Sequence, residues 1–116
     1  MEFNDNKPIY RQIIDFAYSR IMTGVWLPEE RIPSVRELSM VLQVNSRTVL
    51  KAMEHLQNNS VILAKRGQGF VLAPDARQLV SEELRKEFFA STLPDFAAEM
   101  NMLGIRIEDI INYLPK

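Results

Sequence analysis

The order of apolar and polar positions at the start of the chain predicts an amphipathic helix. Asn6 stands just before Pro8, in the place of a helix cap, and a proline is tolerated in the first helical turn because its missing N–H would have no partner there. Gly24 is a typical stop, since glycine readily takes the left-handed conformation that ends many helices. Between these positions apolar residues recur at intervals of four, at Ile9, Ile13, Ala17 and Ile21.

Two shorter helices joined by a tight turn are predicted next. Ser34 is a cap residue, and Glu37 completes a capping box for a helix that ends near Gln43, while Asn45 is the expected cap of the following helix. Such a helix-turn-helix places its second helix in the major groove of DNA in the proteins that use it. The predicted buried faces are Val35, Leu38, Val41 and Leu42 for the second helix, and Val49, Ala52, Met53 and Leu56 for the third.

A β-hairpin is predicted after the third helix. Residues 61–65 and 70–73 are short apolar runs, and Arg66-Gly67-Gln68-Gly69 between them is a glycine-bearing turn. Three helices and a two-stranded wing form a winged helix. The predicted fold class is therefore mainly α with a small β-hairpin, a winged helix-turn-helix followed by a short helical segment.

Pro74 and Asp75 mark the predicted boundary between a winged helix at residues 1–73 and a helical dimerisation or effector segment at 74–116. A helix to about Ser91 is expected, followed by a new cap at Thr92, a kink or restart at Pro94, and a last short helix at 107–114. A short appendage has too little surface to cover its own apolar residues, which suggests that two copies bury them in a dimer. These residues are Leu79, Val80, Leu84, Phe88, Phe96, Met100, Leu103, Ile107, Ile110 and Leu114.

The net charge of the chain is only −1, but its charged residues are unevenly distributed along the sequence. Residues 31–73 carry six Lys or Arg against two acidic residues, whereas residues 74–116 carry five against eight. A basic segment beside an acidic one suits a half that binds DNA and a half that does something else. The chain has no cysteine, no apolar run of membrane-spanning length and no signal-like start, so a cytoplasmic location is expected.

No pattern in the chain predicts catalysis or a cofactor. His55 is the only histidine and there is no cysteine, so a histidine-based metal site lacks partners within one chain. The acidic residues of the tail have the spacing of solvated helix faces, and Gly67-Gln68-Gly69 is too short for a phosphate-binding loop. The chain is therefore not expected to be an enzyme, and no catalytic, cofactor or metal residue is assigned.

Basic residues of the third helix and the wing are the best candidates for chemistry. Arg47 and Lys51 lie four positions apart on the side opposite the predicted core, where a guanidinium could bond guanine in a bidentate manner. The alternative is a solvated helix face. Lys65 and Arg66 precede the wing turn, whose glycines permit a close approach of the backbone to the minor groove. Exposed basic residues are also common on any hairpin.

The segment from residue 8 to 71 resembles the GntR family of bacterial transcription regulators, and the short tail is similar to the YtrA-like subfamily, whose ending is matched by Leu103-Gly104-Ile105 and Glu108-Asp109-Ile110-Ile111. The resemblance implies a dimeric DNA-binding regulator, in which the arginine corresponding to Arg36 reaches DNA. The family motifs, in order, are Pro8-Ile9-Tyr10-x-Gln12-Ile13, Ile21-x-x-Gly24-x-Trp26-x-Pro28, Ile32-Pro33-Ser34-x-Arg36-Glu37-Leu38, Val44-Asn45-x-x-Thr48-Val49-x-x-Ala52 and Gly67-x-Gly69-Phe70-Val71.

The chain departs from the family pattern at three positions. Glu30 stands where the family usually has a glycine after the proline, which predicts a turn built differently. Ser60 replaces the glycine that commonly ends the recognition helix, although serine is less suited to a left-handed conformation. Ser46 occupies a position that is often arginine, and Arg47 follows it.

These observations predict a sequence-specific transcription regulator, a repressor that binds double-stranded DNA as a homodimer on a pseudo-palindromic operator. The alternative is a winged helix that binds protein and does not bind DNA. An unknown small-molecule effector is a possible further partner, expected in a crevice shared between protomers because the chain is too short for the usual effector pocket. The predicted DNA-binding residues are Ser34, Arg36, Asn45, Ser46, Arg47, Thr48, Lys51, Lys65, Arg66, Gly67, Gln68 and Gly69.

Overall fold

A computed structural model describes Phe3 and residues 6–115 of the chain. Within this part no helix is both long and apolar enough to pass through a membrane. The predicted fold class is confirmed, since helices predominate and one two-stranded hairpin follows the third of them. The elements in order are α1 (Ile9–Met22), α2 (Val35–Leu42), α3 (Ser46–Asn58), β1 (Ile62–Lys65), β2 (Gly69–Leu72), α4 (Ala76–Glu87), a π-helical turn (Phe88–Thr92), α5 (Leu93–Leu103), α6 (Ile107–Ile110) and a 3₁₀ turn (Ile111–Tyr113).

Helix α1 starts later than its sequence suggests. Pro8 is the N-cap, and its carbonyl oxygen accepts hydrogen bonds from the backbone of Arg11 and Gln12. The prediction that Asn6 caps this helix is therefore wrong, because Asn6 lies two residues before the cap. Gly24 follows the end of the helix with a φ of +77°, so the predicted stop is confirmed.

Helix α2 buries a narrower face than its sequence predicts. Leu38 and Leu42 are buried and Val35 is half-buried, whereas Val41 is 71% exposed. The prediction of a buried Val41 is wrong. At 3.6 residues per turn it lies about 100° around the helix from Leu42, and an eight-residue helix packs only one side on its neighbours.

The turn between α2 and α3 is held by its own hydrogen bonds. Gln43 takes a left-handed conformation with a φ of +55°, which ends α2. The backbone N–H of Val44 donates to the Ser39 carbonyl at 3.1 Å, and the Ser39 hydroxyl donates to the Val44 carbonyl at 2.6 Å. Ser39 therefore connects the last turn of α2 to the chain entering α3, and this fixes the direction in which α3 starts.

Helix α3 lies at the centre of the winged helix and packs against α1, α2 and β1. The predicted buried stripe of Val49, Ala52, Met53 and Leu56 is confirmed. Trp26, also buried, meets Phe16 edge to face with 6.3 Å between ring centroids. The apolar positions of the first three helices thus share one core with the hairpin.

The wing carries a third strand-like segment that the sequence did not predict. Strands β1 and β2 pair antiparallel with Ile62 opposite Leu72, and the connector before α2 pairs with the other edge of β2 through a bridge between Arg31 and Val71. The turn after Pro28 contains no glycine, as expected from the sequence. The residue in the left-handed conformation is Glu29, with a φ of +66°, and not Glu30. Glu30 instead accepts a hydrogen bond from the Leu72 backbone at 3.0 Å.

By packing, the chain divides into two compact units, Met1–Ser81 and Glu82–Lys116. The division lies inside α4, later than the boundary expected at residue 74. Ala76 and Val80 are fully buried within the first unit, so the first half of α4 completes its core.

The second unit consists of the end of α4, the π-helical turn, α5 and α6. The predicted restart is confirmed, since α5 begins directly after Thr92, but the prediction that Thr92 caps it is wrong, because Thr92 has helical φ and ψ of −62° and −49° and its side chain makes no cap hydrogen bond. The backbone N–H of Leu93 bonds the carbonyl of Phe88, five residues back, which defines the π turn. Pro94 falls in the first turn of α5, where its missing N–H is tolerated, and Gly104, with a φ of +68°, ends α5.

Substitution of Ser60 tests how much a left-handed backbone conformation at the end of α3 costs in stability. Its φ is +62° and it is exposed, whereas neighbouring Asn59 has a φ of −93°. A Cβ is disfavoured in the left-handed region, so we expect Ser60→Gly to raise the free energy of unfolding by about 0.5–1 kcal/mol. Asn59→Gly, the control, should lower it by a similar amount or more, because glycine adds entropy to the unfolded chain and removes the 2.8 Å hydrogen bond from the Asn59 side chain to the His55 carbonyl. Urea unfolding of the full chain measures both, and an equal decrease in the two variants would contradict this account.

Candidate nucleic-acid interface

The first turn of α2 is built by a capping box, as its sequence predicts. The Ser34 hydroxyl accepts from the Glu37 backbone at 3.1 Å, and the Glu37 carboxylate accepts from the Ser34 backbone at 3.3 Å. The same carboxylate oxygen accepts from the Arg31 guanidinium at 2.9 Å. Hydrogen bonds from the Ser34 backbone and hydroxyl, with the charge of Arg31, hold the pKa of the Glu37 carboxyl below its ordinary value.

The start of α3 presents polar side chains to solvent. Asn45 is the N-cap as predicted, and its side-chain oxygen accepts from the Arg47 backbone at 2.8 Å. Ser46 and Arg47 are exposed, and Thr48 is half-buried. Because the side chain of Asn45 uses its oxygen for the cap, the neighbouring backbone is held in the geometry that directs Ser46 and Arg47 away from the core.

Lys51 makes a contact that its sequence did not reveal. Its ammonium lies 3.9 Å from the ring centroid of Tyr10 on α1, a cation–π geometry. The side chain is exposed as predicted, but it is held on the α1 side of α3. Lys51 therefore links the two helices in addition to carrying a positive charge.

The wing turn is exposed and depends on two glycines. Gly67 and Gly69 have φ values of +79° and +76°, and the Gln68 backbone donates to the Lys65 carbonyl at 3.0 Å. Lys65 and Arg66 are both exposed. Side chains at the two glycine positions would be strained by the backbone alone, which accounts for glycine at both.

The twelve predicted residues thus occupy three places: the start of α2, the first two turns of α3 with its cap, and the wing turn. Arg31, which was not predicted as a site residue, connects the start of α2 with the wing turn. Its guanidinium pairs with Glu37 in α2, and its Nε lies 3.9 Å from the position that a Cβ on Gly69 would occupy. Its positive charge was the only signal of this in the sequence. Among the described residues, four of the five basic residues predicted to bind DNA have no ion-pair or hydrogen-bond partner for the side chain: Arg36, Arg47, Lys65 and Arg66.

Chemistry other than binding has little support in this part of the structure. No group of three or more His, Cys, Asp or Glu side chains that could hold a metal ion occurs among residues 6–115 and Phe3. His55 is half-buried on α3, and its backbone carbonyl accepts from the Asn59 side chain at 2.8 Å.

A helix-turn-helix whose second helix begins with exposed polar and basic residues, followed by a basic wing, defines a winged-helix DNA-binding protein. Residues 9–72 match the family model described as bacterial regulatory proteins, gntR family. The chain therefore belongs to the GntR family of DNA-binding transcriptional regulators. This membership confirms the family resemblance and the prediction that the protein is not an enzyme, and it decides against a winged helix that does not bind DNA.

Two relatives from Bacillus subtilis match nearly the whole chain. The HTH-type transcriptional regulator YhcF is 30% identical over 110 residues, which are 95% of this chain and 89% of YhcF. The HTH-type transcriptional repressor YtrA is 27% identical over 107 residues, 92% of this chain and 82% of YtrA. Because both alignments extend beyond residue 72, the short tail is of the YtrA-like kind.

Solved structures agree with the sequence comparison. A GntR family transcriptional regulator from Listeria monocytogenes is 36% identical and superimposes with a TM-score of 0.78 over 96% of both chains. The DNA-binding domain of AraR, in complex with operator ORR3, is 27% identical with a TM-score of 0.56 over 63% of this chain and 88% of that one.

Acid should reveal the stabilising role of the Glu37 carboxylate. Its pKa is lowered in the folded chain from an ordinary value of 4.5, so its contribution to stability is present above that value and is lost as pH falls through the folded pKa. Glutamine keeps the capping acceptor but cannot ionise. We expect Glu37→Gln to be less stable than the parent at pH 7 and the difference to shrink as the pH falls below 4.5. Urea unfolding between pH 3 and pH 7 measures this, and a constant difference would contradict it.

Proposed function

We propose that this GntR-family regulator acts in the cytoplasm as a homodimeric repressor on a pseudo-palindromic operator. One contrast carries the proposal: among the described residues of the first unit, Arg36, Arg47, Lys65 and Arg66 are exposed and have no ion-pair partner, while none of residues 82–115 in the second unit is buried. The first property suits DNA, and the second suits association with another copy. Two copies would present two reading heads, which a two-fold symmetric operator would match.

Arg47 is proposed to read a base edge from the first turn of α3. Its exposure and the lack of a partner among the described residues leave the guanidinium available for guanine. Ser46, Thr48 and Asn45, at the N-terminal end of the same helix, are proposed to contact phosphates, since hydroxyl and amide side chains donate to phosphate oxygens and the positive end of the helix dipole favours anions.

The remaining contacts are proposed to be to the DNA backbone and the minor groove. Arg36 would bind phosphate beside Ser34 at the start of α2. The wing residues Lys65 and Arg66, with the close backbone approach that 67–69 allow, would follow the minor groove. Lys51 would add its charge from its position over the Tyr10 ring.

The second unit supports the proposed dimer through its unburied apolar surface. None of the residues from 82 to 115 is buried. A groove of about 680 Å³ runs along this unit, and its apolar lining includes Phe88, Leu93, Phe96, Met100 and Ile107. So small a unit cannot bury enough apolar area alone, whereas a second copy would supply the missing surface. An effector, if one acts on the protein, would enter a crevice shared by the two copies.

Repression is proposed from the relationship with YtrA, which is named as a transcriptional repressor. Occupying an operator would be sufficient to block transcription.

Specificity should depend on Arg47. We expect Arg47→Ala to lower affinity for a duplex selected by the parent protein from a random-sequence pool by about 1–3 kcal/mol, with little change on random DNA. The control is Arg77→Ala, which removes an equally charged, exposed side chain from α4. Titration at fixed salt measures both. Equal affinity of parent and Arg47→Ala for the selected duplex would exclude Arg47 as the reading residue.

The oligomeric state tests the second half of the proposal. We expect the full chain to sediment as a dimer at tens of micromolar, and Phe96→Glu to weaken the dimer by about 2 kcal/mol or more, because a charge would enter an apolar interface. Val41→Glu places the same charge on an exposed apolar position of α2 and should leave the dimer intact. A monomeric parent, or a dimer unaffected by Phe96→Glu, would contradict the proposed role of the groove.

A further inference from the structure

The connector that precedes α2 is attached to the wing by a short hydrogen-bond ladder. The Glu29 backbone donates to the Leu72 carbonyl at 2.8 Å, and the Ile32 backbone donates to the Phe70 carbonyl at 3.0 Å. Between them Arg31 stands opposite Val71 in an antiparallel bridge. The backbone of Arg31 is therefore part of the wing sheet, only a few residues before the chain enters the helix-turn-helix.

The side chain of Arg31 connects this sheet to α2. Its Nη2 lies 2.9 Å from Oε1 of Glu37, in the first turn of α2, and its Nε passes close to Gly69 at the start of β2. Glu37 is in turn hydrogen-bonded to the backbone of Ser34 at the N-cap. Arg31 and Glu37 therefore connect the wing sheet to Ser34, the N-cap of α2.

We propose that Arg31 and Glu37 are positioning residues that hold the wing in one orientation to the helix-turn-helix and so raise the affinity for DNA. The inference rests on the proposed contact between the wing and DNA. A planar guanidinium fixes geometry better than an ammonium, since its donors have set directions.

Two simpler roles fit the pair less well. Both side chains are more than half exposed, at 60% and 53%, and exposed ion pairs contribute little to stability. Direct binding of phosphate by Arg31 is opposed by the Glu37 carboxylate, which already neutralises its charge. The basic residues proposed to contact DNA differ in this respect, because Arg36, Arg47, Lys65 and Arg66 have no ion-pair partner in the described part of the chain.

Two substitutions remove the ion pair between Arg31 and Glu37 but keep the local structure around it. Arg31→Met keeps the apolar stem, and Glu37→Gln keeps a capping acceptor while removing the charge, so both full-length variants are expected to fold. We expect each to weaken binding to a duplex selected by the parent from a random-sequence pool by roughly fivefold, and the double variant to be no weaker than either single one. Removal of a negative charge would by itself tighten DNA binding, so weaker binding by Glu37→Gln has the sign that only positioning predicts.

The decisive comparison uses a chain whose wing no longer binds phosphate. Lys65→Ala with Arg66→Ala should lower the dependence of affinity on salt by about two units, one for each phosphate that is no longer neutralised. In this background Arg31→Met should weaken binding no further, because Arg31 acts through the wing. A further fivefold weakening, or tighter binding by Glu37→Gln, would overturn the positioning role while leaving the wing contact in place. An unchanged salt dependence in the Lys65→Ala and Arg66→Ala chain would overturn the proposed wing contact and the positioning role together.

Discussion

Burial of one face of α3 is the constraint on which the rest of the winged helix depends. Val49, Ala52 and Leu56 are fully buried, and complete burial of a valine or leucine side chain stabilises a fold by about 1.5–3 kcal/mol. Because this stripe must face α1, α2 and β1, the opposite side of the helix must face solvent. The exposure of Arg47 therefore follows from the packing of the core, and a binding surface arises on the side that the core does not use.

The other parts of the first unit determine how this surface is bounded. The Ser39 hydrogen bonds fix where α3 starts relative to α2, and the Asn45 cap fixes its first turn. The wing reaches the same region because the connector ending at Ile32 pairs with β2 before the chain enters α2. One short stretch of chain thus belongs to both the sheet and the helix-turn-helix, so the position of the wing is coupled to that of α2.

The second unit differs from the first in the burial of its apolar residues and in its charge. Most apolar residues of the first unit share a core, whereas in the second unit even Phe88 and Phe96 remain about half exposed. The two units also differ in charge, since residues 1–81 carry ten Lys or Arg against eight acidic residues, whereas residues 82–116 carry four against seven. An acidic surface is repelled by DNA, which leaves DNA binding to the first unit.

Local patterns in the sequence determined the helices, the hairpin and most caps. The periodicity of Val49 to Leu56 and the capping box of Ser34 and Glu37 depend on neighbours within one or two turns, so the sequence alone reveals them. Only the tertiary structure decided the contacts between distant segments: the ladder that joins residues 29–32 to β2, the stacking of Lys51 on Tyr10, and the helical continuation through Thr92. The first two depend on which surfaces meet in space, and the third depends on how a continuous backbone satisfies its hydrogen bonds. The local spacing of residues encodes neither of these factors.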